Sequence, residues 1–260
     1  VDTGMLNFYY KGSGNALILE NGELRVFNQA EDEAYAPLSQ QRMVGSRSRA
    51  LTADKLQVLL ETGEISPQGK ADKSGRTRVK VSDDTHTVSA VFNQRRGTGF
   101  YPDVAAYRLD RLLGLDMVPV TTRRTHAGTD GSLQFLPEKY SDEKQRSSSG
   151  RGGSAACGLP QQWEAMYVFD VLIYNEGRGL ERMLYDPARW NLMLVQHDRA
   201  FKNARGRPAH LESAPVVVSQ GWREALAEIT DEVLAEQFSD VLDKRRRKAL
   251  GARRDQLLAE

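Results

Sequence analysis

Residues 163–174 read as a helix that is apolar on nearly every side. Trp163, Met166, Tyr167, Phe169, Leu172 and Ile173 leave it no continuous polar stripe. A helix of that kind has to be enclosed by other elements, so the chain must supply a core thick enough to surround it. Its 260 residues suffice for one large domain or two lobes, and 40% hydrophobic with 27% charged residues is the balance of a folded chain. The helix falls short of the ~18 apolar residues a membrane span needs, and no other run reaches that length.

What surrounds this helix changes in character along the chain. Residues 16–19 and 23–27 flank Asn21-Gly22, a strong signal for a two-residue hairpin turn. Residues 51–62 predict a short helix with Thr52 as N-cap, Leu56, Leu59 and Leu60 on one face, and Gly63 at its end. Strands follow at 76–82, where Val79 and Val81 alternate with Arg78 and Lys80, and at 86–93, joined through Asp83-Asp84. Ala105, Leu109, Leu112 and Leu113 share a face of a helix over 103–114 that stops at Gly114. Strands are expected again at 118–123 and 132–136.

At 138–158 the composition turns polar and rich in Gly and Ser, which predicts a flexible connector and a lobe boundary. Beyond the apolar helix come a short strand at 192–195 and a helical region over 222–259, with Leu234, Phe238, Val241 and Leu242 on one stripe. The expected plan is α+β and two-lobed. Residues 1–50 form a hairpin extension, 51–140 a strand-rich first lobe, 141–160 the connector, and 161–260 a mainly helical second lobe.

Lys+Arg 36 against Asp+Glu 35 leaves a net charge of +1, so no global field gathers nucleic acid or an anionic membrane. The single cysteine, Cys157, makes neither an internal disulfide nor a multi-cysteine zinc site and reads as a small loop residue. The cytoplasm is the expected location. Val1 is not an initiator methionine, so a trimmed leader stays open.

Two stretches carry a resemblance. Phe169-Asp-Val-Leu-Ile-Tyr-Asn-Glu-Gly-Arg178, then Met183-Leu-Tyr185, then Leu192-Met-Leu-Val-Gln-His-Asp-Arg-Ala-Phe201 is similar to the core of atypical kinases, the branch of lipid, HipA-type and secretory-pathway kinases. Upstream, residues 101–119 resemble the helix that carries the ion-pair acid and the strand after it. The similarity spans roughly residues 60–255, and it implies a bacterial-type, two-lobed, protein-kinase-like fold. Phosphoryl transfer there is positioning plus stabilisation of charge on phosphate oxygens: one Asp orients the hydroxyl, an Asn and a second Asp hold Mg²⁺, and a strand Lys pairs with the phosphates and with a helix acid.

Laid on this chain, the pattern loses its chemistry. The base Asp falls on Gly177, with Arg178 kept; the metal Asn falls on Arg182; the metal Asp falls on Gln196, ahead of His197. The strand Lys falls on Asn93, and the helix acid is Asp103. Glycine cannot accept a proton, a guanidinium cannot ligate a cation, and a neutral amide replaces a carboxylate poorly. The expectation is therefore a catalytically inactive kinase-like domain, a pseudokinase, acting as a binding or regulatory module. It would take ATP or another nucleotide without Mg²⁺ and work through a protein partner, with no membrane span and no nucleic-acid partner expected.

The alternative is an active ATP-dependent phosphotransferase that uses displaced residues. Asp198 shares a strand face with Gln196 and would ligate metal in its place, Glu176 and Glu181 would stand in for the base and the metal ligand, and Lys80 for the strand Lys. Glu138, at the lobe boundary, joins Lys80, Asn93 and Asp103 on the expected nucleotide side. Arg182 admits a second role as a fork for phosphate oxygens. Lys70, Lys73, Arg95 and Arg96 are weaker phosphate candidates beside short glycine signals. His197 reads as a packed core histidine, and the basic run 244–248 as a solvated helix face.

Overall fold

The computed structural model describes residues 15–20, 23–28, 51–95, 97, 99–150, 158–187, 190–212, 214 and 216–260. Cys157, Arg96 and the Gly/Ser residues of 151–157 lie outside the described residues. Strand β1 (Asn15–Glu20) pairs antiparallel with β2 (Glu23–Asn28), and the Glu20↔Glu23 pairing leaves the two residues of the expected Asn-Gly turn between them. That turn is itself outside the described residues.

The first lobe is an antiparallel sheet of five strands with a helix on each face. The helices are α1 (Ala53–Thr62) and α2 (Pro102–Leu113). The strands are β3 (Glu64–Pro67), β4 (Arg76–Ser82), β5 (Thr87–Gln94), β6 (Thr121–His126) and β7 (Thr129–Phe135), in the order β3-β4-β5-β7-β6. Thr52 caps α1 by accepting from the Lys55 backbone N–H at 3.3 Å. Gly114 ends α2 at φ 65°, a left-handed cap that glycine adopts without a Cβ clash.

Residues paired directly across a sheet share a face, so the register sorts this one into two surfaces. Val79, Ala90 and Phe135 form one row, fully buried beneath α1 with Leu56, Leu59 and Leu60. The other surface carries the rows Arg76–Asn93–Ser132, Arg78–Val91–Gln134 and Lys80–Ser89, and is polar almost throughout.

The second lobe is mainly helical. The apolar helix becomes α4 (Leu159–Leu172), with Met166, Val168, Phe169, Val171 and Leu172 all buried, as its lack of a polar stripe requires. Two short strands, β9 (Met183–Tyr185) and β10 (Leu192–Leu194), pair beside it. The α+β, two-lobed plan expected from the sequence is the one observed.

Three local expectations change. The stretch expected as a connector is regular through residue 149: β8 (Ser141–Asp142) pairs with β9, and α3 (Glu143–Ser149) follows. Asp142 and Gln145 form a reciprocal capping box at 2.8 and 3.2 Å, and buried Glu143 holds Arg146 at 2.6 Å, which lets a serine-rich segment stay helical. The region 222–259 is three helices, α5 (Gln220–Ala227), α6 (Asp231–Phe238) and α7 (Lys244–Ala259). Ser219, Thr230 and Asp243 each cap a new start. Finally, β6 and β7 meet in a tight hairpin through Ala127 and Gly128, both at positive φ, which moves the strand limits from 118–123 and 132–136 to those above.

Candidate functional site

The loop after α4 is built on a buried ion pair. Arg178 forks onto Asp170, Nε to Oδ2 at 2.9 Å and Nη2 to Oδ1 at 2.8 Å, with both side chains almost wholly enclosed. Asn175 donates to Asp170 at 3.0 Å and in turn accepts the Gly177 backbone N–H at 3.0 Å. Arg178 also donates to the backbone carbonyls of Arg182 and Val195. Its role is to tie this loop to the strand after it, and it stands away from any open surface.

Arg182 occupies the centre of the arrangement. Its Nη1 donates to Asp198 Oδ1 at 2.6 Å and to the Gln196 backbone carbonyl at 2.9 Å. Exposed Glu181 lies 3.7 Å from its Nε. Gly177 makes this placement feasible, since a Cβ there would come within 2.8 Å of Arg182 Nη1. Gln196 sits at φ 60°, which turns its side chain toward the first lobe, where its Oε1 accepts from Arg76 on β4. Gln196 is thus held between two guanidinium groups, one from each lobe.

Magnesium requires several oxygen ligands in near-octahedral array. Here the Arg182 guanidinium lies against Asp198 and the Gln196 carbonyl, and Asp103 is taken up by three hydrogen-bond donors, so the residues present do not fit the metal. Among the described residues no three of His, Cys, Asp and Glu gather as metal ligands.

Asn93 and Asp103, on the third strand of the five-stranded sheet and near the start of α2, meet at 2.6 Å. The same Asp103 Oδ2 accepts from Ser132 at 3.1 Å, and its Oδ1 accepts the His197 backbone N–H at 2.6 Å. Burial pushes the Asp103 carboxyl above the usual range, while these three donors pull it back. Burial, with Arg178 and Arg182 adding to it, holds His197 well below 6.5, so the ring is neutral. Its Nε2 lies 3.2 Å from the Arg178 Nη2 donor, which leaves the proton on Nδ1. Asn93, Asp103, Ser132 and Asp198 border a cavity of about 40 Å³, room for about one water.

The polar face of β4 adds Arg76 and Arg78, which sequence reasoning passed over, to Lys80, which it had named. Arg76, Arg78 and Lys80 follow one another along one face of the sheet, with Arg76 in contact with Gln196. Arg78 Nη2 donates to the Tyr140 hydroxyl at 2.9 Å, and Lys80 Nζ to Ser89 Oγ at 2.8 Å, with Glu138 3.7 Å away. Lys80 and Glu138 are therefore brought together. The signal for Arg76 and Arg78 was present: in Arg76-Thr-Arg-Val-Lys-Val81 the cations occupy every second position, which places them on one strand face.

Other candidates lie apart. Glu176 pairs with Lys202, and Lys70 and Lys73 are exposed in the β3–β4 connection. Arg95, by contrast, borders the same small cavity as Asn93 and Asp103; it donates to the Tyr101 hydroxyl at 2.9 Å and pairs with Asp130 at 3.2 Å. In the basic run, Arg246 pairs with Asp243 and lies 4.1 Å over the Phe100 ring, while Arg247 caps the Leu242 carbonyl at 2.6 Å. Among the described residues, no helix is long and apolar enough to cross a membrane.

No family model and no curated protein matches this chain. Among solved structures it is similar to the Helicobacter pylori proinflammatory kinase CtkA, at 10% identity over 76% of this chain and 92% of that one, with a TM-score of 0.48. It is also similar to WaaP in its complex with acyl carrier protein, at 10% identity over 77% of this chain and 92% of that one, with a TM-score of 0.32. At such identity neither likeness carries a residue role across.

Proposed function

We propose that this chain is a kinase-like domain without metal-dependent phosphotransfer, a binding and regulatory module that holds a nucleotide between its lobes in the absence of magnesium. One observation carries the reading: the Arg182 guanidinium rests on Asp198 Oδ1 and the Gln196 carbonyl, where the resemblance would put the cation. A fixed organic cation can neutralise phosphate oxygens through paired N–H donors, but it cannot exchange ligands or draw a hydroxyl into line as a metal does. The Asn93–Asp103 contact supports the kinase-like part. In protein kinases a strand Lys and a helix Glu pair at the corresponding places, and here a neutral amide and a carboxyl take their positions. The regulatory part, through a protein partner, follows from a cleft that would report nucleotide occupancy without consuming it.

The test is thermal-shift titration with ATP in EDTA and again in excess Mg²⁺. Equal stabilisation in both conditions is expected, with no phosphate released or transferred. Stabilisation that appears only with Mg²⁺, accompanied by phosphate transfer, overturns the reading.

A further inference from the structure

We infer that the cleft recognises a linear chain of phosphates and leaves the base unread, so that its ligand class is polyphosphate, with nucleotides bound through their phosphate tail alone. This rests on the metal-free reading above and specifies what the site selects.

The ladder on β4 carries it. Arg76, Arg78 and Lys80 project from one face at every second residue, spanning ~13 Å along the strand. The ladder begins beside Gln196 and Arg182 and ends at Glu138. Each of its cations has a hydrogen bond to a neutral group: Arg76 to the Gln196 amide oxygen, Arg78 to the Tyr140 hydroxyl, Lys80 to the Ser89 hydroxyl. Neutral acceptors satisfy the donors but leave much of the positive charge uncancelled, and an anionic oxygen makes the stronger, charge-assisted bond. Asp72 at 3.0 Å from Arg76 and Glu138 at 3.7 Å from Lys80 offset part of that charge, and both acids are about half exposed, where pairing is weak.

The same ladder denies a base its seat. A flat heterocycle is held by apolar walls with a few directed polar groups. On the rows that line this face, Val91 is flanked by Arg78 and Gln134, and Ser89 by Lys80. Arg78 is further tied across to Tyr140. Successive phosphates, by contrast, match a row of cations, which continues from Arg76 through Gln196 to Arg182, itself shared with Asp198.

Isothermal titration in EDTA with tripolyphosphate, ATP, GTP and adenosine tests this. Tripolyphosphate, ATP and GTP should bind within about threefold of one another, and adenosine not at all. Binding should weaken as ionic strength rises. The double variant R78Q/K80Q, on half-buried and exposed positions, should melt as wild type yet lose about tenfold or more in tripolyphosphate affinity. ATP binding with tripolyphosphate silent, or any adenosine binding, overturns the base-blind inference and leaves the metal-free reading standing. Silence of all four ligands overturns both. An R78Q/K80Q protein that binds tripolyphosphate as well as wild type overturns the role of the ladder.

Discussion

Gly177 and Arg182 compete for one space: a Cβ on residue 177 would lie 2.8 Å from the Arg182 guanidinium and 3.1 Å from the Arg199 Cβ. The two positions are therefore coupled. Gly177→Ala should cost about 1–2 kcal/mol through overpacking. In an Arg182→Ala background the cost should shrink by at least about 0.5 kcal/mol, the coupling expected of residues in contact. Urea unfolding of the two single variants and the double checks it, and strict additivity would refute the coupling.

The Arg178–Asp170 fork is enclosed, so breaking it strands a charge. Arg178→Ala should destabilise the fold by about 3–5 kcal/mol. Arg178→Lys should restore little, because an ammonium cannot reproduce two parallel hydrogen bonds. A lysine variant with wild-type melting temperature would contradict this account of the loop.

His197 predicts an acid sensitivity. Its folded-state pKa lies well below the 6.5 of an exposed histidine, so the unfolded chain takes up a proton the native chain refuses. That contribution to stability is complete above about pH 6.5 and falls as pH drops below it, by up to about 1.4 kcal/mol per pH unit. His197→Gln should flatten this part of the pH profile in denaturant titrations between pH 7.5 and 5. An unchanged slope would assign the acid sensitivity to other groups.

Asp110 predicts the opposite dependence. Burial, with Asp116 nearby, raises its carboxyl well above 3.8, so the native state keeps a proton the unfolded chain releases. Its contribution is full below that unfolded value and is lost as pH rises through the folded one. Asp110→Asn should therefore gain on wild type as pH is raised from 4 to 8, read as a widening difference in urea midpoint. A constant difference would mean the carboxyl is ionised in the fold.

Much of the fold was readable from local signals. Thr52 and Gly63 bound α1, Gly114 stops α2, and the alternation of β4 and β5 gives both their pairing and their buried face. The subdivision of 222–259 was missed because its cap residues, Thr230 and Asp243, are ordinary polar residues until seen accepting backbone N–H groups. The order in 143–149 depends on the buried Glu143–Arg146 pair, which a composition argument averages away.

At the site, the sequence identified Gly177, Arg182, Gln196, Asn93 and Asp103 as positions of interest. What it did not show is that Arg182 faces Asp198 or that Gln196 at positive φ reaches back to Arg76. Those contacts join residues 16 and 120 positions apart, set by tertiary geometry that periodicity within one element cannot convey.

Arg253, on α7, is fully enclosed, and donates to the carbonyls of Leu172, at 2.7 Å, and of Lys202 and Ala204. These carbonyls flank the segment that carries Gly177, Arg182 and Gln196. During synthesis the sheet and the apolar helix emerge well before the residue that clamps this segment. The segment therefore gains these three hydrogen bonds only once α7 has packed against it. A chain that ends short of residue 253 should keep the sheet of the first lobe yet leave this segment unclamped.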